Sequence, residues 1–353
     1  MSSKTYRGAL HAAMVEAMES SEKTIILGQG VTDFKGIFGS ITGLAERFPD
    51  RVIETPIAED SVAGMCIGAA LNGLYPINTH IRADFGLLLF NQLINLAAKY
   101  RYMFGGLFEV PLMMRMVIGR SWGQGAQHSQ SLQSLLAHIP GLTVVMPSSP
   151  ASILPTYRYA INHYRNPVIM LEHRLMYELE FDDDEKKLPN ADCPVWGSIL
   201  IREGRDISIV ATSVMVLEAK RAAKYLEGYG ISLEIIDLHS ISHPDNTIIL
   251  NSVKKTRKLI VADTSWKPYG VSAEICRLIA ESIPEELDAP VVTLGMCNTP
   301  CPTAKALEDM FYPELHQLVG EIIKLHNRGR RTNIPMPPKE SMTDFYKHFK
   351  GPF

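Results

Sequence analysis

An acidic side chain and an imidazole, both able to exchange protons, stand in otherwise apolar or uncharged surroundings. They are Glu59, which closes Glu54-Thr55-Pro56-Ile57-Ala58-Glu59, and His128, within Gly125-Ala126-Gln127-His128-Ser129-Gln130. A carboxyl and an imidazole of this kind are the usual carriers of general acid–base chemistry. Arg51-Val52-Ile53 reads as a short strand, and the small-residue run Ser61 to Leu71 has helical spacing. Glu59 therefore falls in a first helical turn, where unpaired N–H groups and the helix dipole favour a carboxylate. A helix cap alone would explain it too. His128 follows the Gly- and amide-rich stretch Ser121 to Gln127 and precedes Ser131 to Gly141, a short amphipathic helix ended by Pro140-Gly141. A histidine at such a junction can reach a ligand, or simply satisfy loop carbonyls.

The elements that must position them read as α/β. Strand-like runs at Thr24-Ile-Ile-Leu-Gly28, Val110 to Met116, Thr143-Val-Val-Met146 and Val168-Ile-Met-Leu171 alternate with helical stretches, the pattern of a mostly parallel, buried sheet. Glu178 to Pro189 is polar and without apolar periodicity, and reads as a linker. Four further strands follow, at Asp206 to Ala211, Ser232 to Asp237, Lys258 to Asp263 and Pro290 to Gly295. Helices are expected over Met215 to Tyr229, Asp245 to Lys255, Val271 to Ser282 and Tyr312 to Leu325. The expected fold is α/β in two domains, over 1–180 and 197–327, joined by a linker over 181–196. The Pro-rich, aperiodic stretch over 328–353 reads as an extended tail.

Composition narrows the function class. The chain has 353 residues, 46% hydrophobic and 21% charged, as expected of a globular protein with sizeable cores. A net charge of −3 without a long single-sign block argues against nucleic acid as the main partner, and the one basic cluster, Arg328-Gly-Arg-Arg331, reads as a solvated charge run. Five scattered cysteines fit a reducing compartment rather than a disulfide framework, and Cys297 and Cys301 lack the second pair of a zinc site. No window is long and apolar enough to span a bilayer, and the N-terminus runs straight into an amphipathic helix; a cytoplasmic location is the expectation.

Several linked segments carry a resemblance. Ile53-Glu-Thr-Pro-Ile-Ala-Glu59, Asn91 to Met103, Gly125-Ala-Gln-His-Ser-Gln-Ser-Leu132, Ala137-His-Ile-Pro-Gly-Leu142 and Pro167-Val-Ile-Met-Leu-Glu-His173 occur in this order. At this spacing the chain resembles the β subunits of the 2-oxo acid dehydrogenase E1 component, over about residues 4 to 327. The resemblance implies a thiamine-diphosphate enzyme whose first domain binds the aminopyrimidine and whose second is of the transketolase C-terminal type. Glu59 would hydrogen-bond N1′ of the aminopyrimidine, as a desolvated carboxyl that keeps or shares a proton, and promote loss of the thiazolium C2 proton. His128 would face the reacting end of the cofactor. Phe85 is a candidate to pack on the pyrimidine, or ordinary core, and Ile57 lies in the same cofactor-binding segment.

The Gly-Asp-Gly and Asn-Asn pattern of a diphosphate–Mg²⁺ site does not occur, so an α subunit in an α2β2 heterotetramer is expected to hold the Mg²⁺. The backbone around Ala160 and Asn166 matches a K⁺-binding stretch, although the loop Asn162 to Arg165 is slightly long. Departures from the family lie at Asp60-Ser61-Val62, Arg120-Ser121-Trp122, Lys267 to Gly270 and Pro302-Thr303. Arg82, Trp122 and Gln127 are therefore the expected substrate-pocket residues. The family activity is decarboxylation of a 2-oxo acid and transfer of the acyl group to a lipoyl-bearing E2. Two alternatives stay open: a stand-alone αβ transferase that adds a two-carbon or acyl unit to a carbonyl acceptor such as a sugar, and a catalytically silent scaffold.

Overall fold

The structure, a computed structural model, describes residues 4–119, 123–182, 192–327 and 333–346. The strands are β1 (Thr24–Gly28), β2 (Val52–Glu54), β3 (Tyr75–His80), β4 (Met113–Ile118), β5 (Thr143–Val145) and β6 (Val168–His173) in the first domain. The second contains β7 (Ile199–Arg202), β8 (Ile207–Ala211), β9 (Leu233–Asp237), β10 (Leu259–Trp266) and β11 (Val292–Met296). The first sheet runs β2-β1-β3-β4-β6-β5, with every pairing parallel. The second runs β11-β10-β8-β9-β7 and is parallel except for the antiparallel edge strand β7. Both domains thus have the expected α/β architecture.

Every residue of β3, β4 and β6 is buried, as strands covered on both faces must be. That rule makes the two charges in the middle of the first sheet conspicuous. Arg115 and Glu172 are fully buried and bond twice, Nε to Oε1 at 2.7 Å and Nη2 to Oε2 at 2.8 Å. Arg115 also donates to Ser40 Oγ at 3.0 Å, while the Tyr157 and Tyr177 hydroxyls both donate to the Glu172 carboxylate. Burial alone would lower the Arg115 pKa, but the neighbouring carboxylate more than offsets it and holds the guanidinium charged. Burial, and then the Glu172 charge, push both tyrosine hydroxyls well above their ordinary range, so they remain protonated donors. Helices Tyr6–Ser20 and Pro150–Asn162 pack together over this face, and Tyr6 Oη donates to Pro147 O at 2.8 Å.

The two domains share backbone. Edge strand β5 continues across the boundary through an antiparallel bridge between Val145 and Ser240; Met146 N donates to His239 O at 2.8 Å and Ile241 N to Val144 O at 2.9 Å. One apolar core runs through both, from Leu10 and Ile153 to Val214 and Leu318. Of the expected linker, 183–191 lies outside the described residues; in the remainder Val195 is fully buried and Trp196 stacks on His243 at 4.8 Å. Among the described residues, no helix is long and apolar enough to cross a membrane.

The basic cluster at 328–331 lies outside the described residues. The described tail, 333–346, has no regular structure up to Ser341 and then makes a helical turn, Met342–Phe345. It lies against helices Val214–Glu227 and Leu315–His326. Tyr225 Oη donates to Pro335 O at 2.8 Å, and Tyr346 Oη donates to Glu218 Oε1 at 2.7 Å. Glu218 is fully buried; it also accepts from Leu315 N at 3.0 Å and pairs with Arg221, whose guanidinium lies 3.2 Å from the Phe345 ring centroid.

Replacing Glu172 by Ala leaves the Arg115 charge buried and unpaired, and is expected to cost about 3–5 kcal/mol of stability. Urea unfolding of the E172A chain measures this. A loss no larger than that of a surface substitution, about 0.5 kcal/mol, would exclude the pair as a structural support.

Candidate active site

The chain leaves β1 for β2 on one side and then crosses to β3 on the other, so the sheet order reverses between β1 and β3. Open α/β sheets hold ligands outside the carboxyl ends of their strands at such a point. Gly28 ends β1 there. A Cβ at this position would stand 2.6 Å from the Thr79 carbonyl oxygen, so only glycine lets the strand ends close the floor. Above it opens a cavity of about 390 Å³, walled by Gln29, Glu59, His80, Arg82, Phe85, Gln124 and His128 among others.

Glu59 is the first residue of helix Glu59–Leu71 and is 9% exposed. Its N-cap, Ala58, has no side chain to offer the helix, and Gln29 Nε2 donates to Glu59 Oε1 at 3.4 Å. The floor loop is pinned by Glu54, whose carboxylate accepts from Gly30 N at 2.6 Å, from Thr32 N at 3.1 Å and from Thr32 Oγ1 at 3.0 Å. Opposite, the Phe85 ring meets the His128 imidazole edge to face, with centroids 5.4 Å apart. Phe85 is 39% exposed and so presents an aromatic surface to the cavity rather than filling the core. The structure therefore brings Glu59, Phe85, Arg82 and His128 around one space.

Arg82 is buried and donates from Nη1 to Gly119 O at 2.9 Å. Burial lowers its pKa to about 10, against the pull of the Asp84 carboxylate. Asp84 in turn accepts from Gln130 N at 3.1 Å, two residues past His128, and burial raises its own pKa. Two expected residues lie elsewhere. Ile57 is 82% exposed, because the turn before the helix points it to solvent, and Gln127 is exposed; neither lines the cavity, where Gln124 stands instead. Trp122 lies outside the described residues. Ala160 is buried in helix Pro150–Asn162, Asn166 Oδ1 accepts from Arg101 Nη1 at 3.1 Å, and Arg165 Nη2 donates to Asn162 O at 3.2 Å.

Three wall residues carry no signal that residue type and spacing alone could have raised. Gln29 and Phe38 are brought in by loop geometry, Phe38 with a left-handed backbone at φ 55°. His80 ends β3 and is 8% exposed, its Nε2 2.6 Å from Asn78 Oδ1. Asn78 Nδ2 donates to Leu27 O at 3.2 Å, so the amide oxygen faces the ring and Nε2 carries the proton. Burial pulls the His80 pKa down to about 4, and the Glu59 charge only partly opposes it.

His80 is therefore neutral in the folded chain, while an unfolded histidine titrates near 6.5. The stability this supplies is complete above that value and is lost as pH falls from 6.5 toward 4, by about 3 kcal/mol at the limit. Buried His239, pulled down to about 4, acts in the same direction. Urea titrations from pH 7.5 to 4.5 should show stability falling across this window, and His80→Gln should flatten the slope. An unchanged slope would place the titration elsewhere.

Residues 2–180 match the family model for the transketolase pyrimidine binding domain, and 198–318 that for the transketolase C-terminal domain. The chain is 36% identical over 334 residues to the mitochondrial pyruvate dehydrogenase E1 component subunit beta-1 of Oryza sativa subsp. japonica, covering 94% of this chain and 88% of that one. It is 37% identical to the mitochondrial subunit beta of Bos taurus, over 92% and 90% of the two chains. With the subunit beta of Rickettsia felis the identity is 35%, over 91% and 98%. A solved structure of a split gene transketolase, an inactive beta4 tetramer, shares the fold, with a TM-score of 0.74 at 22% identity over 92% of this chain and 99% of that one. A transketolase pyrimidine-binding domain followed by a transketolase C-terminal domain, with this identity along nearly the whole length, means that the chain belongs to the family of pyruvate dehydrogenase E1 component β subunits.

Proposed function

We propose that this chain is the β half of a thiamine-diphosphate-dependent 2-oxo acid dehydrogenase E1, which decarboxylates a pyruvate-like 2-oxo acid and passes the acyl group to a lipoyl-bearing E2. The observation that carries this reading is a buried carboxyl, Glu59, and an imidazole, His128, lining one cavity with an aromatic ring, Phe85, in its wall. The cavity chemistry fits an aminopyrimidine: one largely desolvated carboxyl for a ring nitrogen, a ring surface to pack on, and mainly apolar walls. Thiamine diphosphate supplies, when bound, the electron sink for decarboxylation.

The chain's own residues do the rest. Gln29 donates to Oε1 of Glu59, which leaves the other carboxyl oxygen for N1′ of the pyrimidine. Phe85 fixes the ring plane and keeps water from that face. Arg82 brings a buried guanidinium to the wall, suited to a substrate carboxylate. His128, in the cavity wall, exchanges a proton with the substrate.

The relatives are named as β subunits, which supports an α subunit that completes the site, holds Mg²⁺ and forms an α2β2 assembly. Leu87 and Leu88, and Tyr102, Met103 and Leu107, are exposed apolar side chains of the kind a subunit covers. K⁺ on the carbonyls around Ala160, transfer to E2 and a cytoplasmic location belong to the same proposal. The transferase reading is not favoured, because the relatives are dehydrogenase subunits and the transketolase structure, at 22% identity, speaks for fold alone.

The test is decarboxylation of pyruvate and branched-chain 2-oxo acids by this chain co-expressed with its α subunit. Glu59→Gln should lower the rate by about 10²–10⁴-fold while the assembly stays intact by size-exclusion chromatography. Unchanged activity would overturn the role of Glu59 and favour a scaffold, and turnover with a sugar aldehyde but not a lipoyl domain would favour the transferase.

A further inference from the structure

We propose that the second domain positions His128, acting through Gln133 and Asp263 on the loop that carries the imidazole; this rests on His128 acting at the substrate, as proposed above. The loop from Gly125 to Ser131 leads directly into helix Gln133–Ala137. Gln133 is fully buried, and its amide reaches across the domain boundary, Nε2 donating to Asp263 Oδ1 at 2.7 Å and to Thr264 Oγ1 at 3.2 Å. The other end of the same amide points back at the loop, Oε1 accepting from Ser131 Oγ at 2.7 Å. Ser265 Oγ adds a bond to Ser131 O at 2.8 Å. Asp263 is itself held, Oδ1 accepting from Thr212 Oγ1 at 2.6 Å and from Thr264 N at 2.8 Å.

Strand β10 is built to aim these groups. Its pairing with β11 slips between Ala262 and Trp266, and such irregularities turn side chains out of the regular alternation. Asp263, Thr264 and Ser265 all fall within the slip and all meet Ser131 or Gln133. In the order β11-β10-β8-β9-β7 the direction reverses between β8 and β10, where an open α/β sheet would hold its own ligand. Here that crevice receives the two side chains that follow the His128 loop. At the loop's start, a Cβ on Gly125 would stand 2.7 Å from Thr303 Oγ1, so the second domain also presses on that end.

A side chain on a loop anchored to both domains depends on those anchors for its place, and a misplacement of about 1 Å can cost about 10²-fold in rate. Gln133 and Asp263 touch no substrate; they are positioning residues. In the chain co-expressed with its α subunit, with thiamine diphosphate and Mg²⁺, Gln133→Leu should lower kcat for pyruvate by about ten- to a hundredfold and leave KM within about twofold. The deciding measurement is a double-mutant cycle: in a His128→Ala background, Gln133→Leu should cause no further loss. A full multiplicative loss in the double variant would overturn the positioning role and leave that of His128 standing. A His128→Ala enzyme with unchanged kcat would instead overturn the reading of His128. If Gln133→Leu fails to assemble, Ser265→Ala, which removes one bond to the same loop, runs through the same cycle; a loss that persists undiminished without His128 would overturn the proposal.

Discussion

The fully buried bond between Arg115 and Glu172 is the constraint on which the first domain depends. A charge of either sign in the middle of a parallel sheet is tolerable only with its partner beside it, and the partner lies on the neighbouring strand, two residues beyond the one paired with Arg115. The pair therefore fixes the register of β4 against β6, since a one-residue slip would send one charge to the opposite face. Tyr157 and Tyr177 extend the constraint into the helix above the sheet and the turn after β6. The ends of both strands matter for the site. Gly119 follows β4, and a Cβ on it would collide with the His173 ring at the end of β6, while its carbonyl receives Arg82.

From that fixed end the polypeptide enters the loop that carries His128 and then meets the second domain. The cavity is thus made of parts held by different means. Glu59 sits on a helix start against a glycine-closed floor. His128 sits on a loop whose position is shared between domains. The helix start is held within the first domain alone, while the His128 loop takes its place from hydrogen bonds to both domains.

Much of the fold was legible in the sequence, and the exceptions have physical reasons. Thr24–Gly28, Thr143–Val145 and Val168–His173 announce themselves as apolar runs because both faces of a parallel sheet are covered. Tyr75–His80 does not, since Pro76, Asn78, Thr79 and His80 break the run, although all six residues are buried. Edge strand Ile199–Arg202 buries only its first residue and leaves no clear period. Within the site, residue type and local context marked Glu59 and His128 as candidates, and the family resemblance selected them. His80 was not, because only the parallel pairing of β1 with β3 carries it to the cavity. Gln133 and Asp263, 130 positions apart in sequence, are joined by tertiary folding alone. Ile57 belongs to a telling segment, and the turn there faces it outward in the single chain.

The docked tail bears on the order in which the molecule can be made. Glu218 is buried in helix Val214–Glu227, and one of its hydrogen-bond donors, the Tyr346 hydroxyl, is added to the growing chain 128 residues later. The first domain holds all members of its own buried charge cluster once Tyr177 has emerged, and can consolidate while synthesis continues. In the second, the buried Glu218 carboxylate gains its last donor only when Tyr346 has been added. A chain cut ahead of Tyr346 would lose that donor and leave the buried Glu218 with Arg221 and the Leu315 N–H as donors.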